Sequence, residues 1–238
     1  MPLVERACLC VAPLLFGHDG FLGLHGTCFA VEDERTTVFL AARHSLKGTQ
    51  ENTSINIPIS LGPGATVAVI ERILGPSLNR DQFPPSEDFA VLLPKTRPVS
   101  AEDQFQPIRL DRCANLDRVR TSALFAVAGH PKGFPDGNQI DYESREITLG
   151  IHFGIGKYVG PSKEQVGCHV LSLDTNDIEG PGGLSGAPVF RILRRHEQWV
   201  PLWAGIVITG NASMVQFIDV KYPLEYLLRK RVLKIKAA

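Results

Sequence analysis

The feature that most limits how this chain can fold is a succession of short apolar or alternating runs, punctuated by turn-formers, with a helical pattern only at the end. The first six runs are residues 7–16, 26–31, 37–42, 55–59, 66–74 and 89–93, separated by stretches such as Gly17-His18-Asp19-Gly20 and Gly62-Pro63-Gly64. Six more follow at 122–128, 146–153, 170–173, 187–193, 202–209 and 214–220. Short strands at this spacing, without amphipathic helices between them, predict an antiparallel all-β protein. Six runs in each half predict two six-stranded antiparallel β-barrels, one over residues 1–110 and one over 111–238. The proline-bearing stretch 94–120, with Pro98 and Pro107, reads as the connection between them. Pro223 ahead of Leu224-Glu225-Tyr226-Leu227-Leu228, with Arg229, Lys230 and Arg231 behind, predicts a C-terminal helix. No internal sequence repeat relates the two halves.

Charge and cysteine content narrow the function. The chain has 238 residues with 25 Lys and Arg against 25 Asp and Glu, so it carries no net field to attract nucleic acid or an anionic membrane. The run at 7–16 is too short for a membrane span and lacks the basic leader of a secretory signal. The five cysteines, Cys8, Cys10, Cys28, Cys113 and Cys168, follow neither metal-ligand nor disulfide spacing. No metal and no cofactor is therefore expected. Free thiols suit a reducing compartment, and a cytoplasmic location is the expectation.

Three separated segments carry chemistry. Val38-Phe39-Leu40-Ala41-Ala42-Arg43-His44 is an apolar run ending in a histidine. Asp88 stands at the head of Phe89-Ala90-Val91-Leu92-Leu93, and Ser185 lies in the glycine-rich Gly182-Gly183-Leu184-Ser185-Gly186 that leads into another run. Singly, each reads as an ordinary strand-end or turn residue. Together they form a coherent chemical set. A serine hydroxyl is a weak nucleophile until a base takes its proton, and histidine titrates in the right range. A carboxylate then fixes the imidazole tautomer and stabilises the imidazolium. The oxygen of an attacked carbonyl becomes negative and needs preorganised donors, which the backbone N–H groups of Gly183 and Ser185 can supply.

The order His44, Asp88, Ser185 and the phrases Leu40-Ala41-Ala42-Arg43-His44, Asp88-Phe89-Ala90-Val91-Leu92 and Gly183-Leu184-Ser185-Gly186-Ala187-Pro188 resemble chymotrypsin/trypsin-like serine peptidases. So do Gly26-Thr27-Cys28-Phe29-Ala30-Val31, Ala128-Gly129-His130-Pro131 and Gly205-Ile206-Val207, and the intervals of 44 and 97 residues between the three side chains. The resemblance implies a two-barrel fold with the active site between the barrels, catalytic His44, Asp88 and Ser185, and an oxyanion hole from Gly183 and Ser185. It implies a substrate-binding set of Glu179 at the base of the primary pocket, Gly210 on its wall, and the edge strand Ile208-Thr209. Glu179 in a pocket implies cleavage after Arg or Lys. The alternative, that Asp177 and Glu179 are loop carboxylates facing water, stays open here.

Some positions depart from the pattern. Leu184 stands where zymogen-activated members carry the aspartate that pairs with a freshly cut N-terminus, so activation by that route is not expected. Ser45 replaces a half-cystine. Ile208 occupies a position where relatives often have a serine supporting the aspartate, leaving Thr209 or a water for that role. The nucleophile elbow of α/β-hydrolases is excluded, because Ala187 occupies its second glycine position and the order of residues differs. The expected activity is that of a serine endopeptidase on a protein or peptide substrate. By analogy this would be a dedicated intracellular partner, as in prokaryotic conflict or defence systems. A catalytically silent peptide-binding relative and an esterase using the same three residues are the alternatives.

Overall fold

The computed structural model describes residues 3–18, 21–47, 54–59, 66–76, 82–98, 105–132, 139–141, 143, 146–173, 182–211 and 213–234. A short helix, α1 (Leu3–Cys8), leads into β1 (Val11–His18), β2 (Phe21–Glu32) and β3 (Thr37–Ala42). A 3₁₀ turn at Arg43–Leu46 follows, then β4 (Ser54–Pro58), β5 (Val67–Leu74), a second turn at Pro85–Glu87, and β6 (Phe89–Pro94). The rest of the chain forms β7 (Ile108–Arg109), β8 (Leu124–Gly129), β9 (Gln139–Asp141), β10 (Glu146–Thr148) and β11 (His152–Pro161). Then come β12 (Cys168–Leu173), β13 (Pro188–Arg195), β14 (Gln198–Gly210), β15 (Met214–Asp219) and helix α2 (Lys221–Arg229).

The two halves close by the same rule. In the first, β1 pairs with β2, β2 with β3, β3 with β6, β6 with β5, β5 with β4, and β4 returns to β1, all antiparallel. The second ring runs β8, β11, β12, β15, β14, β13 and back to β8. Numbering the strands within each ring gives an identical pairing order. The expected pair of six-stranded antiparallel barrels is therefore the observed architecture, with the hairpin of β9 and β10 lying outside the second ring.

Strands of the two barrels that face each other are buried on both sides, which explains their unbroken apolar runs. In β3, Phe39 and Ala41 fill the first barrel, while Val38 and Leu40 point outward into a cluster between the barrels. In β8, Phe125 and Val127 fill the second barrel, while Ala126 and Ala128 join the same intermediate cluster. That cluster holds Phe29, Phe89, Phe190, Trp203 and Tyr226, with Phe29 and Trp203 meeting edge to face at 5.5 Å. Fully burying a large apolar side chain stabilises by roughly 1.5–3 kcal/mol. Five such aromatics make this a shared core rather than a polar contact between two domains.

The structure corrects the sequence reading at four places. The run 7–16 is not one strand: Ala7 and Cys8 end α1, the Cys10 thiol donates to the Ala7 carbonyl at 3.3 Å, and the strand starts at Val11. The run 146–153 is split between β10 and the ten-residue β11, most of which the sequence hides. Gly154, Gly156 and Gly160 look like turn-formers but alternate as buried positions with exposed Ile155, Lys157 and Val159. A Cβ at Gly156 would lie 2.6 Å from the Ser172 carbonyl oxygen, so β12 leaves room only for glycine there. The connection 94–120 contains β7, which pairs parallel with β2, and the Ala114 N–H donates to the Trp203 carbonyl at 2.7 Å. The helical pattern at the end is not alone, because α1 also exists.

Candidate active site

His44 leaves the end of β3 on the 3₁₀ turn, and Asp88 is the last residue before β6, which pairs with β3. This pairing sets the two side chains side by side. Asp88 Oδ2 lies 2.7 Å from His44 Nδ1, and Asp88 Oδ1 accepts the His44 backbone N–H at 2.9 Å. The Arg43 N–H also donates to the Asp88 carbonyl at 3.3 Å. An ionised carboxylate can only accept, so Nδ1 is the donor in this contact and Nε2 points away from the carboxylate. The histidine side chain is 33% exposed and the aspartate side chain 12%, so the imidazole faces solvent with its carboxylate behind it.

A second contact holds this pair from outside. The Arg43 guanidinium lies over the Phe83 ring, 3.7 Å from its centroid, and Phe83 belongs to the segment that delivers Asp88. A cation–π contact of this kind is worth about 0.5–2 kcal/mol.

The Ser185 turn belongs to the second barrel yet rests on the first. The Thr27 N–H of β2 donates to the Ser185 carbonyl at 3.0 Å. A Cβ on Gly186 would sit 2.9 Å from Ala42 N, two residues before His44. The serine turn therefore abuts the strand end from which His44 projects. The Ser185 hydroxyl donates to the Ile208 carbonyl at 3.5 Å, at the limit of a hydrogen bond. The shape of the turn depends on glycine. Gly183 has φ +92° and Gly186 φ +89°, and a Cβ at Gly183 would lie 2.6 Å from the His130 carbonyl oxygen. Among the described residues neither the Gly183 nor the Ser185 backbone N–H has a protein acceptor.

Ile208, Thr209 and Gly210 form the end of β14, beyond the last β13 pair, Pro188 with Ile206, while Thr209 and Gly210 still pair with β15. Among the described residues no strand pairs with the other edge of this segment. Ile208 turns its side chain into the core between the barrels. Among the described residues Thr209 makes no bond to Asp88, so of the two supports expected for the aspartate, Thr209 or a water, the threonine is not in place. Glu179 and Asp177 lie outside the described residues.

All five thiols are free. Burial pushes the Cys8 thiol up to about 11. Burial, and secondarily the charges of Asp111 and Asp88, push Cys113 and Cys168 up to about 12 each. None has the character of an activated thiolate nucleophile. Among the described residues no group of His, Cys, Asp and Glu side chains is placed to hold a metal ion.

A second histidine–aspartate pair escaped the sequence reading. His169 Nε2 lies 3.3 Å from Asp219 Oδ2, and the Tyr158 hydroxyl is 2.6 Å from His169 Nδ1. Both ring nitrogens are occupied and both side chains are at most 10% exposed, so this pair is a buried strut without a nucleophile. The sequence also gave no sign of Thr27 as a cross-barrel contact, or of Phe83 as a partner for Arg43.

The two closed rings and the terminal helix fit a chymotrypsin-like fold. No protein-family model matches the chain, and no curated protein matches its sequence. No helix among the described residues is long and apolar enough to cross a membrane.

Proposed function

We propose that this protein is a serine endopeptidase in which Ser185 is the nucleophile, His44 the general base and Asp88 the group that orients and charges against it. The observation that carries this reading is the 2.7 Å contact of Asp88 with the inner nitrogen of a half-exposed His44, beside a serine turn docked on the same strand end.

In the reaction a peptide lies along the open edge Ile208–Gly210. The Ser185 hydroxyl leaves the Ile208 carbonyl, gives its proton to His44 Nε2, and its oxygen bonds to the substrate carbonyl carbon. The carbonyl electron pair moves onto oxygen, where the Gly183 and Ser185 N–H groups receive it; each such donor is worth roughly 10²–10³ in rate. Asp88 stabilises the imidazolium. His44 then returns the proton to the departing amine nitrogen as the carbon–nitrogen bond breaks. Water, deprotonated by His44, hydrolyses the acyl-serine and restores the hydroxyl. The resemblance assigns Glu179 to the primary pocket and with it a preference for Arg or Lys, and a dedicated intracellular protein is the partner this reading favours. The free thiols support a reducing compartment.

The test is covalent labelling by a fluorophosphonate probe, with the modified residue mapped by mass spectrometry. Wild type is expected to label at Ser185, with loss of labelling in both Ser185→Ala and His44→Ala; labelling elsewhere, or an unchanged rate in His44→Ala, overturns the reading. One observation favours the rival peptide-binding role, since the Ser185 hydroxyl is engaged by Ile208 rather than free. Retained peptide binding with no labelling at any pH would establish that rival. Turnover of ester but not amide substrates would establish an esterase.

A further inference from the structure

A turn that exposes two backbone N–H groups has to be held open, and Leu184 stands where an acid would otherwise receive a cut N-terminus. Here Leu184 is fully buried in the core of the second barrel, which anchors the turn by its side chain but does not orient its peptide groups. The carbonyls do that. Four of them are pinned: the Lys132 N–H donates to the Gly182 carbonyl at 2.7 Å, the Thr27 hydroxyl to the Gly183 carbonyl at 2.8 Å, the Ala187 N–H to the Leu184 carbonyl at 2.8 Å, and the Thr27 N–H to the Ser185 carbonyl at 3.0 Å. No cis peptide occurs among the described residues, so pinning the Gly182 carbonyl turns the Gly183 N–H the opposite way, off the 130–132 segment.

Thr27 is the centre of this arrangement. It is wholly buried, lies in the first barrel, and its hydroxyl also accepts the His130 N–H at 2.8 Å. One hydroxyl therefore ties the turn to the very segment, His130 to Lys132, that fixes Gly182. Replacing it by a methyl would take the hydroxyl acceptor from the His130 N–H and the hydroxyl donor from the Gly183 carbonyl, the costly way to lose a hydrogen bond.

We infer that Thr27 is a positioning residue: by fixing the two peptides on either side of Leu184–Ser185, and through His130 the segment that holds Gly182, it keeps the Gly183 and Ser185 N–H groups aimed outward, so that docking of the two barrels shapes the turn. The inference rests on the serine-peptidase reading for its consequence in rate, but the hydrogen bonds that carry it are independent of that reading. Thr27 touches no reacting atom; it acts through the shape of the turn.

The experiment compares wild type, Thr27→Val and Thr27→Ser. Its first readout is the second-order rate constant for fluorophosphonate labelling of Ser185, measured where urea titration shows each protein to be folded. Thr27→Val is expected to fall about 10²-fold, while Thr27→Ser, which keeps the hydroxyl, stays within a few-fold of wild type. A role in stability alone would leave the rate constant of the folded protein unchanged. The second readout is amide hydrogen exchange over residues 182–187 and at His130, expected to accelerate in Thr27→Val and not in Thr27→Ser. If wild type labels and Thr27→Val labels equally fast, the inference is overturned while the function stands. If wild type does not label, the function fails, and the exchange data alone decide: acceleration upholds Thr27 as the latch, and unchanged exchange removes it.

Discussion

The two barrels share one pairing order and contribute to the proposed site by opposite means. The first supplies His44 and Asp88, held by a carboxylate that takes both the ring and the backbone of its partner. The second supplies Ser185 on a turn shaped by Gly183 and Gly186, with its carbonyls pinned from outside. One half of the site is thus built from charge and the other from peptide geometry. A change of charge should cripple the first while leaving the fold intact, whereas an added methyl group should cripple the second.

The largest effect is expected from Asp88→Asn. It keeps an oxygen for the His44 backbone but replaces the acceptor of Nδ1 by a group that can donate, and loss of the correct tautomer costs about 10⁴ in rate. Peptide or fluorophosphonate kinetics at several pH values, with an unchanged circular dichroism spectrum, would check it; a loss under tenfold would break the comparison. Gly183→Ala comes next. Its Cβ would meet the His130 carbonyl oxygen at 2.6 Å in a positive-φ conformation, so the turn must shift and about 10²–10³ in labelling rate should go with it. Gly182→Ala is the control, since nothing among the described residues lies within 4 Å of its Cβ, and it should label like wild type.

A third prediction concerns acid stability, through the second barrel's own buried pair. Burial alone would push the Asp219 carboxyl up, but the His169 bond, the Lys221 N–H and the Lys221 ammonium outweigh it and hold it below the usual carboxylate range. A carboxyl depressed in the folded state stabilises above its unfolded pKa, and that contribution is lost as pH falls through the carboxylate range. Urea unfolding should show wild type losing its advantage over Asp219→Asn below about pH 4, with a difference of about 1–3 kcal/mol at pH 7. Equal pH slopes would refute it. The smallest effect is expected at Phe83→Leu, which keeps bulk but removes the ring face under Arg43. About 1 kcal/mol of positioning is at stake, read as a several-fold lower rate and a weakened low-field imidazole proton signal from His44.

What the sequence made legible follows from the same physics. Strands β3 and β6 stood out because both their faces are buried, leaving a run such as Val38 to Ala42 without a polar interruption. His44, Asp88 and Ser185 stood out because each is a polar residue at the end of such a run. Strand β11 did not, because glycine fills its tightest positions and apolar side chains stand on its outer face, reversing the usual pattern. Thr27 gave no signal, since a threonine inside a strand is common and only the folded chain brings it to Gly183. Nor did the shared pairing order of the barrels, which is carried by hydrogen bonds between backbones and needs no common side chains.

The first and last helices tie the two barrels together. Helix α1 precedes the first barrel but packs on β8 and β14 of the second, while Tyr226 of α2, which follows the second barrel, meets Phe89 of the first edge to face at 5.6 Å. Helix α2 also packs on β15 of its own barrel, so it bridges the two rings, whereas α1 sits on the ring that comes later in the chain. Severing the chain between the barrels would strip α1 of its seat and α2 of its contact with Phe89, so the halves should be ordered only when mixed, and the intact protein should melt in one step despite its two rings.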